Sequence, residues 1–226
     1  MKVTWGMMIT DGSGKLGGHV AAKNRGGNYV RTKVKPSNPK TPAQQDARNR
    51  LSTFSQNWRG LTEDERLAWN NATANFPEVK NGKVIYLSGQ QLYVKLNSNL
   101  SVAGQAEIDT PPLPAEMPSL ALTALVSDVS SMTFTISASD AVVPSGFTYM
   151  VEAIPPTSPG RFNVSNKYRL IGPATLVTND DNMYTEYIAK FGLPVAGQKV
   201  AARAFLINNN TGQASVPTAM TAIVTA

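Results

Sequence analysis

The chain of 226 residues has one histidine, His19, and no cysteine. A nucleophile–base pair or an imidazole metal site would have to be built on His19 with partners the spacing does not supply. His19 is therefore read as a strand or turn residue. Disulfides and thiolate metal sites are excluded. The stretch GSGKLG at 12–17 matches G-x-G-x-x-G. A dinucleotide fingerprint needs a strand before it and a helix opening on it. Another strand-like segment follows instead, so the glycines are read as a hairpin turn. Gly14-Lys15 lacks the spacing and the Ser/Thr of a phosphate-binding loop. The acidic run TEDE at 62–65 suits the first turn of a helix, where the macrodipole favours negative charge. NDD at 179–181 has no EF-hand register around it and is read as a loop. Asn71, Asn163 and Asn209 begin formal glycosylation sequons, taken as coincidence because MKVTWGMMITDGSG does not read as a secretion signal. No catalytic constellation emerges. The expectation is a non-enzymatic protein with no cofactor, no metal and no small-molecule substrate.

What remains is charge. Net charge is +6. Residues 1–60 hold eleven Lys/Arg against two Asp, residues 61–110 four against six acids, and residues 111–226 six against seven. Lys23, Arg25, Arg31, Lys33 and Lys35, interleaved with Tyr29, form the candidate interface, and Lys40 extends it. Basic groups around an aromatic can grip phosphates and stack bases. They can equally meet an acidic protein neighbour in an assembly, which is the expected partner class.

The elements that would position this patch are short strands. Residues 2–10 read as a strand, 11–15 as a turn, 19–22 as a return strand, 24–27 as a second turn, and 28–34 as an alternating strand. Two or three such strands are marginal alone. Residues 35–41 are extended by Pro36 and Pro39. Thr41 and Pro42 then open a helix with Ala43, Ala47, Leu51, Phe54 and Trp58 on one face. Gly60 is expected to end it in the left-handed region. Thr62 and Glu65 form a capping box for a second helix carrying Leu67, Ala68, Trp69, Ala72 and Phe76. The two stripes predict a helix-hairpin core with Phe54, Trp58 and Trp69 inside. KNGK at 80–83 is an Asn-Gly turn. Ser88 caps a third helix with Leu92, Tyr93, Leu96 and Leu100 on one stripe.

Residues 109–118 hold four prolines and read as a linker between domains 1–108 and 119–226. Beyond it, residues 120–125, 132–137, 147–153, 168–171, 184–191, 199–207 and 219–224 read as seven short strands. The expected fold is an α+β module followed by an all-β immunoglobulin- or fibronectin-like sandwich. No apolar run approaches the roughly 20 residues of a membrane helix.

The ordered series GHVAAKNRGGNYVRT at 18–32, PSNPKTPAQQ at 36–45, RNRL at 48–51, WRGLTEDERLAW at 58–69 and LSGQQLYVKLN at 87–97 resembles a family of virion structural proteins of tailed bacteriophages and related prophage regions. The resemblance covers about the first 112 residues. It implies a protein assembled in the bacterial cytoplasm into a capsid, neck or tail, with copies of itself and other virion proteins as partners. It implies no catalytic residues. The C-terminal part only looks like the immunoglobulin-like domains often appended to phage head and tail proteins. The alternative is a protein that touches packaged nucleic acid through its basic arm.

Overall fold

A computed structural model describes residues 12–24, 27–80, 82–138, 145–161, 163–165, 167–174 and 180–226. The chain forms two compact units, Met1–Gln45 and Asp46–Ala226.

The first unit is an antiparallel meander of β1 (Gly14–Leu16), β2 (His19–Asn24) and β3 (Gly27–Thr32). The turn expected at 11–15 lies further on, at Gly17 and Gly18. Gly17 takes φ +54°, the left-handed conformation that glycine adopts without steric cost. Gly14 and Lys15 belong to the strand. The Lys33 N–H donates to the Gly18 carbonyl at 2.8 Å, extending the ladder one step past β3. The strand expected at 2–10 lies outside the described residues. None of the described residues in 12–45 is buried.

Helix α1 (Pro42–Gly60) starts at the expected proline. Its apolar stripe is only partly used. Phe54 is buried, Trp58 half-buried, and Leu51 56% exposed. Gly60 is the last helical residue but is not among the left-handed glycines. The break is made instead by Leu61, which is buried, and by the N-cap of α2 (Glu63–Ala72), where Thr62 and Glu65 form the expected reciprocal box. A 3-10 turn at Thr73–Asn75 leads to the hairpin β4 (Glu78–Lys80) and β5 (Lys83–Ile85), with Gly82 at φ +74° in its turn. Helix α3 (Gly89–Val102) is capped by Ser88 and Gln91.

The helical core differs from a simple α1–α2 pair. Phe54, Leu61 and Trp69 close on Leu92, Tyr93 and Leu96 of α3. Tyr93 is the hub, with its ring 5.3 Å edge-on to Trp69 and 5.5 Å from Trp58. Leu67 and Ala68, expected on the stripe, are exposed, because Trp69 turns that side of α2 inward. The segment after α3 is strapped over this core. The Trp69 indole N–H donates to the Asp109 carbonyl at 2.7 Å, and the fully buried Asn97 exchanges two hydrogen bonds with the Ile108 backbone.

The remainder holds β6 (Leu122–Asp128), β7 (Thr133–Ala138), β8 (Phe147–Ala153), β9 (Arg169–Ala174), β10 (Asp180–Asn182), α4 (Tyr184–Phe191), β11 (Lys199–Asn208) and β12 (Thr218–Ile223). They make antiparallel sheets in the orders β10-β7-β6 and β12-β11-β8-β9. Leu125, Phe134 and Ile136 of the first share one buried cluster with Tyr149, Val151, Val200, Ala202 and Ala204 of the second. The strand expected at 184–191 is a helix. Tyr184, Tyr187, Ile188 and Phe191 are spaced three, one and three apart, a helical period that short apolar runs conceal. Tyr187 is fully buried, stacks on Phe134 at 4.3 Å and donates to the Ile154 carbonyl at 3.0 Å. The acidic run read as a loop supplies β10, which pairs with β7. Among the described residues the architecture is α+β, with four helices and several antiparallel sheets.

The proline-rich stretch is bonded at both ends, through Asp109 to Trp69 and through the Ala115 N–H to Gln213 at 2.7 Å. Asn99 of α3 donates to the Gly212 carbonyl at 2.8 Å. A Cβ at Gly212, whose φ is +70°, would lie 2.4 Å from the Leu96 carbonyl oxygen. Gly197 has a similar φ of +84° but open space around it. Gly197→Ala should cost about 1–2 kcal/mol of stability from backbone strain alone. Gly212→Ala should cost about 2–4 kcal/mol, because overpacking adds to the strain. Denaturant midpoints of the two variants check the difference.

Candidate interface on the N-terminal sheet

The first unit carries the charge of the whole chain. Residues 1–45 hold eight Lys/Arg and one Asp, a net +7. Residues 46–226 hold the other thirteen Lys/Arg and fourteen Asp/Glu, a net −1.

The register of the sheet sorts the candidate residues by face, since directly opposed residues point to the same side. Lys15 pairs with Val20, Val20 with Arg31, and Ala22 with Tyr29. Lys15, Tyr29 and Arg31 therefore share one face. Lys23, opposite Asn28, lies on the other, with His19, opposite Thr32. Arg25 lies outside the described residues. Lys33 and Lys35 follow β3 in extended, exposed chain. The structure thus brings Tyr29 and Arg31 together and separates Lys23 from them. It also adds Lys15, which the sequence reading lost by placing the turn at 11–15. The adjacent Gly17-Gly18 pair was the available signal, because a two-residue glycine turn leaves Lys15 in the strand.

Chemically this is a surface of exposed cations flanking one half-buried tyrosine. Arginine can fork onto a carboxylate or a phosphate, and lysine supplies a hydrated point charge. Neither does acid–base work there. Among the described residues no group of three or more His, Cys, Asp or Glu could hold a metal ion, and no helix is long and apolar enough to cross a membrane.

The perturbed titratable groups lie elsewhere, each tied into local structure. Hydrogen bonds from the Thr62 backbone N–H and hydroxyl, both at 2.8 Å, hold Glu65 below the usual carboxylate range. Asp128 is held well below it by the Ser131 N–H, then by the Thr225 and Ser130 hydroxyls. Burial, and then the hydrogen bond to Glu107, pushes the Tyr93 hydroxyl far up. Burial does the same for Tyr187. The sequon residues also have structural partners. Asn209 accepts from Thr148 at 2.6 Å, Thr211 is buried against Gln213, and Asn163 accepts from Ser165 at 3.0 Å.

No family model, curated protein or solved structure matches the chain.

Glu65 and Asp128 titrate lower in the folded state than their ordinary values of 4.5 and 3.8. The folded state therefore binds fewer protons, and their contribution is present above those values and lost as pH falls through the folded ones. Denaturant midpoints should drop between about pH 5 and about pH 2, and Glu65→Gln with Asp128→Asn should flatten that drop. An unchanged acid limb would show that these hydrogen bonds do not stabilise the fold.

Proposed function

We propose that the chain is a non-enzymatic virion structural protein of a tailed bacteriophage, assembled in the host cytoplasm and docked into the particle through residues 1–45. The observation that carries this reading is the pairing of a net +7 with a three-stranded sheet in which none of the described residues is buried. Folding such a sheet costs conformational entropy that apolar burial within it does not offset. A partner surface supplies the missing burial. Net positive charge selects an acidic one, such as a neighbouring virion protein or another copy of this chain. The family resemblance carried by residues 18–97 supports the same class.

The C-terminal β part is read as an immunoglobulin-like sandwich that projects from the particle or contacts neighbours. In support, its two antiparallel sheets share one apolar cluster. Helix α4 is inserted between β10 and β11, a departure from an all-β version of that fold.

The second reading, contact with packaged nucleic acid, is favoured by cations on both faces of the sheet and by Lys33, Lys35 and Lys40 in the extended segment after it. The two readings separate by experiment. Arg31→Glu with Lys33→Glu and Lys35→Glu should abolish incorporation into particles while leaving the thermal unfolding of residues 46–226 unchanged. Wild-type incorporation of that variant would contradict the assembly role of the sheet. Under the nucleic-acid reading, binding to random-sequence duplex DNA should weaken with salt at a log–log slope of about −0.9 per phosphate contacted. A slope near zero would eliminate that reading.

A further inference from the structure

Outside the basic sheet, the largest unexplained feature is the β4–β5 hairpin. Val79 and Val84 are directly opposed and so share one face, at 75% and 57% exposed. Tyr86, one residue past the strand, is 62% exposed. A two-stranded hairpin is marginal in water, and this one turns a row of three large side chains to solvent. Its base is fixed, because the Glu78 carboxylate accepts from the Lys95 ammonium of α3 at 2.6 Å. The apolar face is thus held in place without being covered.

The same chain carries a receptor of matching character. Between α1 and α3 lies a groove of about 330 Å³. Leu51 and Val94 form its apolar part, and Ser55, Gln90 and Ser98 supply polar groups around them. Leu51 is exposed although it belongs to the apolar stripe of α1. A tyrosine suits such a site, since its ring is apolar and its hydroxyl needs a polar partner. Lys95 lines this groove and also anchors the hairpin, so projection and groove flank one residue of α3. Adjacent complementary elements on one surface are what a two-fold interface requires, because each copy then gives its projection and receives the other's.

We propose that residues 78–86 of one copy seat Val79, Val84 and Tyr86 in the α1–α3 groove of a second copy, forming a closed two-fold dimer. The patch is small beside the roughly 800 Å² per partner of a standard interface. The dimer is therefore weak in isolation and is reinforced when other contacts hold the copies close. The proposal does not depend on the role of residues 1–45. An apolar contact survives high salt, whereas docking by exposed cations does not.

Cysteine-free sequence makes the test direct. Full-length Tyr86→Cys and Leu51→Cys proteins are mixed under mild oxidation in about 1 M salt, where charge contacts are screened to about 3 Å. Both positions are exposed, so neither change disturbs a core. The expected result is a covalent dimer from the mixture in large excess over that formed when Tyr86→Cys is mixed with Ser101→Cys, an exposed control at the end of α3. Equal yields in the two mixtures would overturn the proposal. Sedimentation of the unmodified chain from about 1 µM to about 1 mM gives the second readout. Mass should rise towards a dimer, and Tyr86→Ser should shift the midpoint at least about tenfold. A monomer throughout, or an unshifted midpoint, would overturn it and leave the hairpin to a different protein.

Discussion

Helix α3 is held by two unlike contacts, and the order of residues 46–226 follows from them. On one side its Tyr93 ring meets Trp58 and Trp69, and Asn97 beside it is buried with its amide satisfied by the Ile108 backbone. At its far end the Leu96 carbonyl and Leu100 press on Gly212, where a side chain does not fit. The first contact gathers α1, α2 and the strap at 105–110. The second ties the helices to the loop after β11, whose Asn208 side chain caps two backbone N–H groups of that turn. A satisfied buried amide and a forbidden Cβ are both intolerant of displacement. They fix where the helices meet the sheets.

What lies beyond the reach of α3 is left with little burial. Residues 12–45 have strands, turns and charge but no interior, and the β4–β5 hairpin has a fixed base and an uncovered face. Both are surfaces ordered in shape and unsatisfied in area. In a protein that works alone such surfaces would be a liability, since strand edges and apolar rows invite association. In a protein that works in an assembly they are the places where neighbours attach. The charge partition sharpens the contrast, because the basic groups concentrate in the unit without a core.

Much of this was legible in residue order because local chemistry dictated it. Thr62 with Glu65 and Ser88 with Gln91 are capping boxes that satisfy helix N–H groups whatever surrounds them, and both occur as written. The α3 stripe of Leu92, Tyr93, Leu96 and Leu100 is likewise a local period. The failures arose where tertiary context decides. Leu51 and Leu67 sit on apolar stripes, yet only a partner helix determines which residues of a stripe are covered, and α3 took the place expected for α1 and α2 facing one another. In 184–191 a short apolar run fits strand and helix alike, and burial of Tyr187 against Phe134 settles it. For the candidate interface, composition located the basic arm, but a turn misplaced by a few residues concealed Lys15 and put Lys23 on the wrong face. Register converts parity into sidedness, so a small shift is enough.

Backbone amide hydrogen exchange of the free full-length chain tests the central idea most directly. If residues 14–32 obtain their burial from a partner, their ladder opens at almost no cost in the free chain. Their amides then exchange near intrinsic rates, while those of β11 are protected to the level of global unfolding. Assembly into particles restores protection to 14–32. Slow exchange of these amides in the free chain, matching β11, would mean that the sheet is stable unaided, and the account of it as a docking arm would fail.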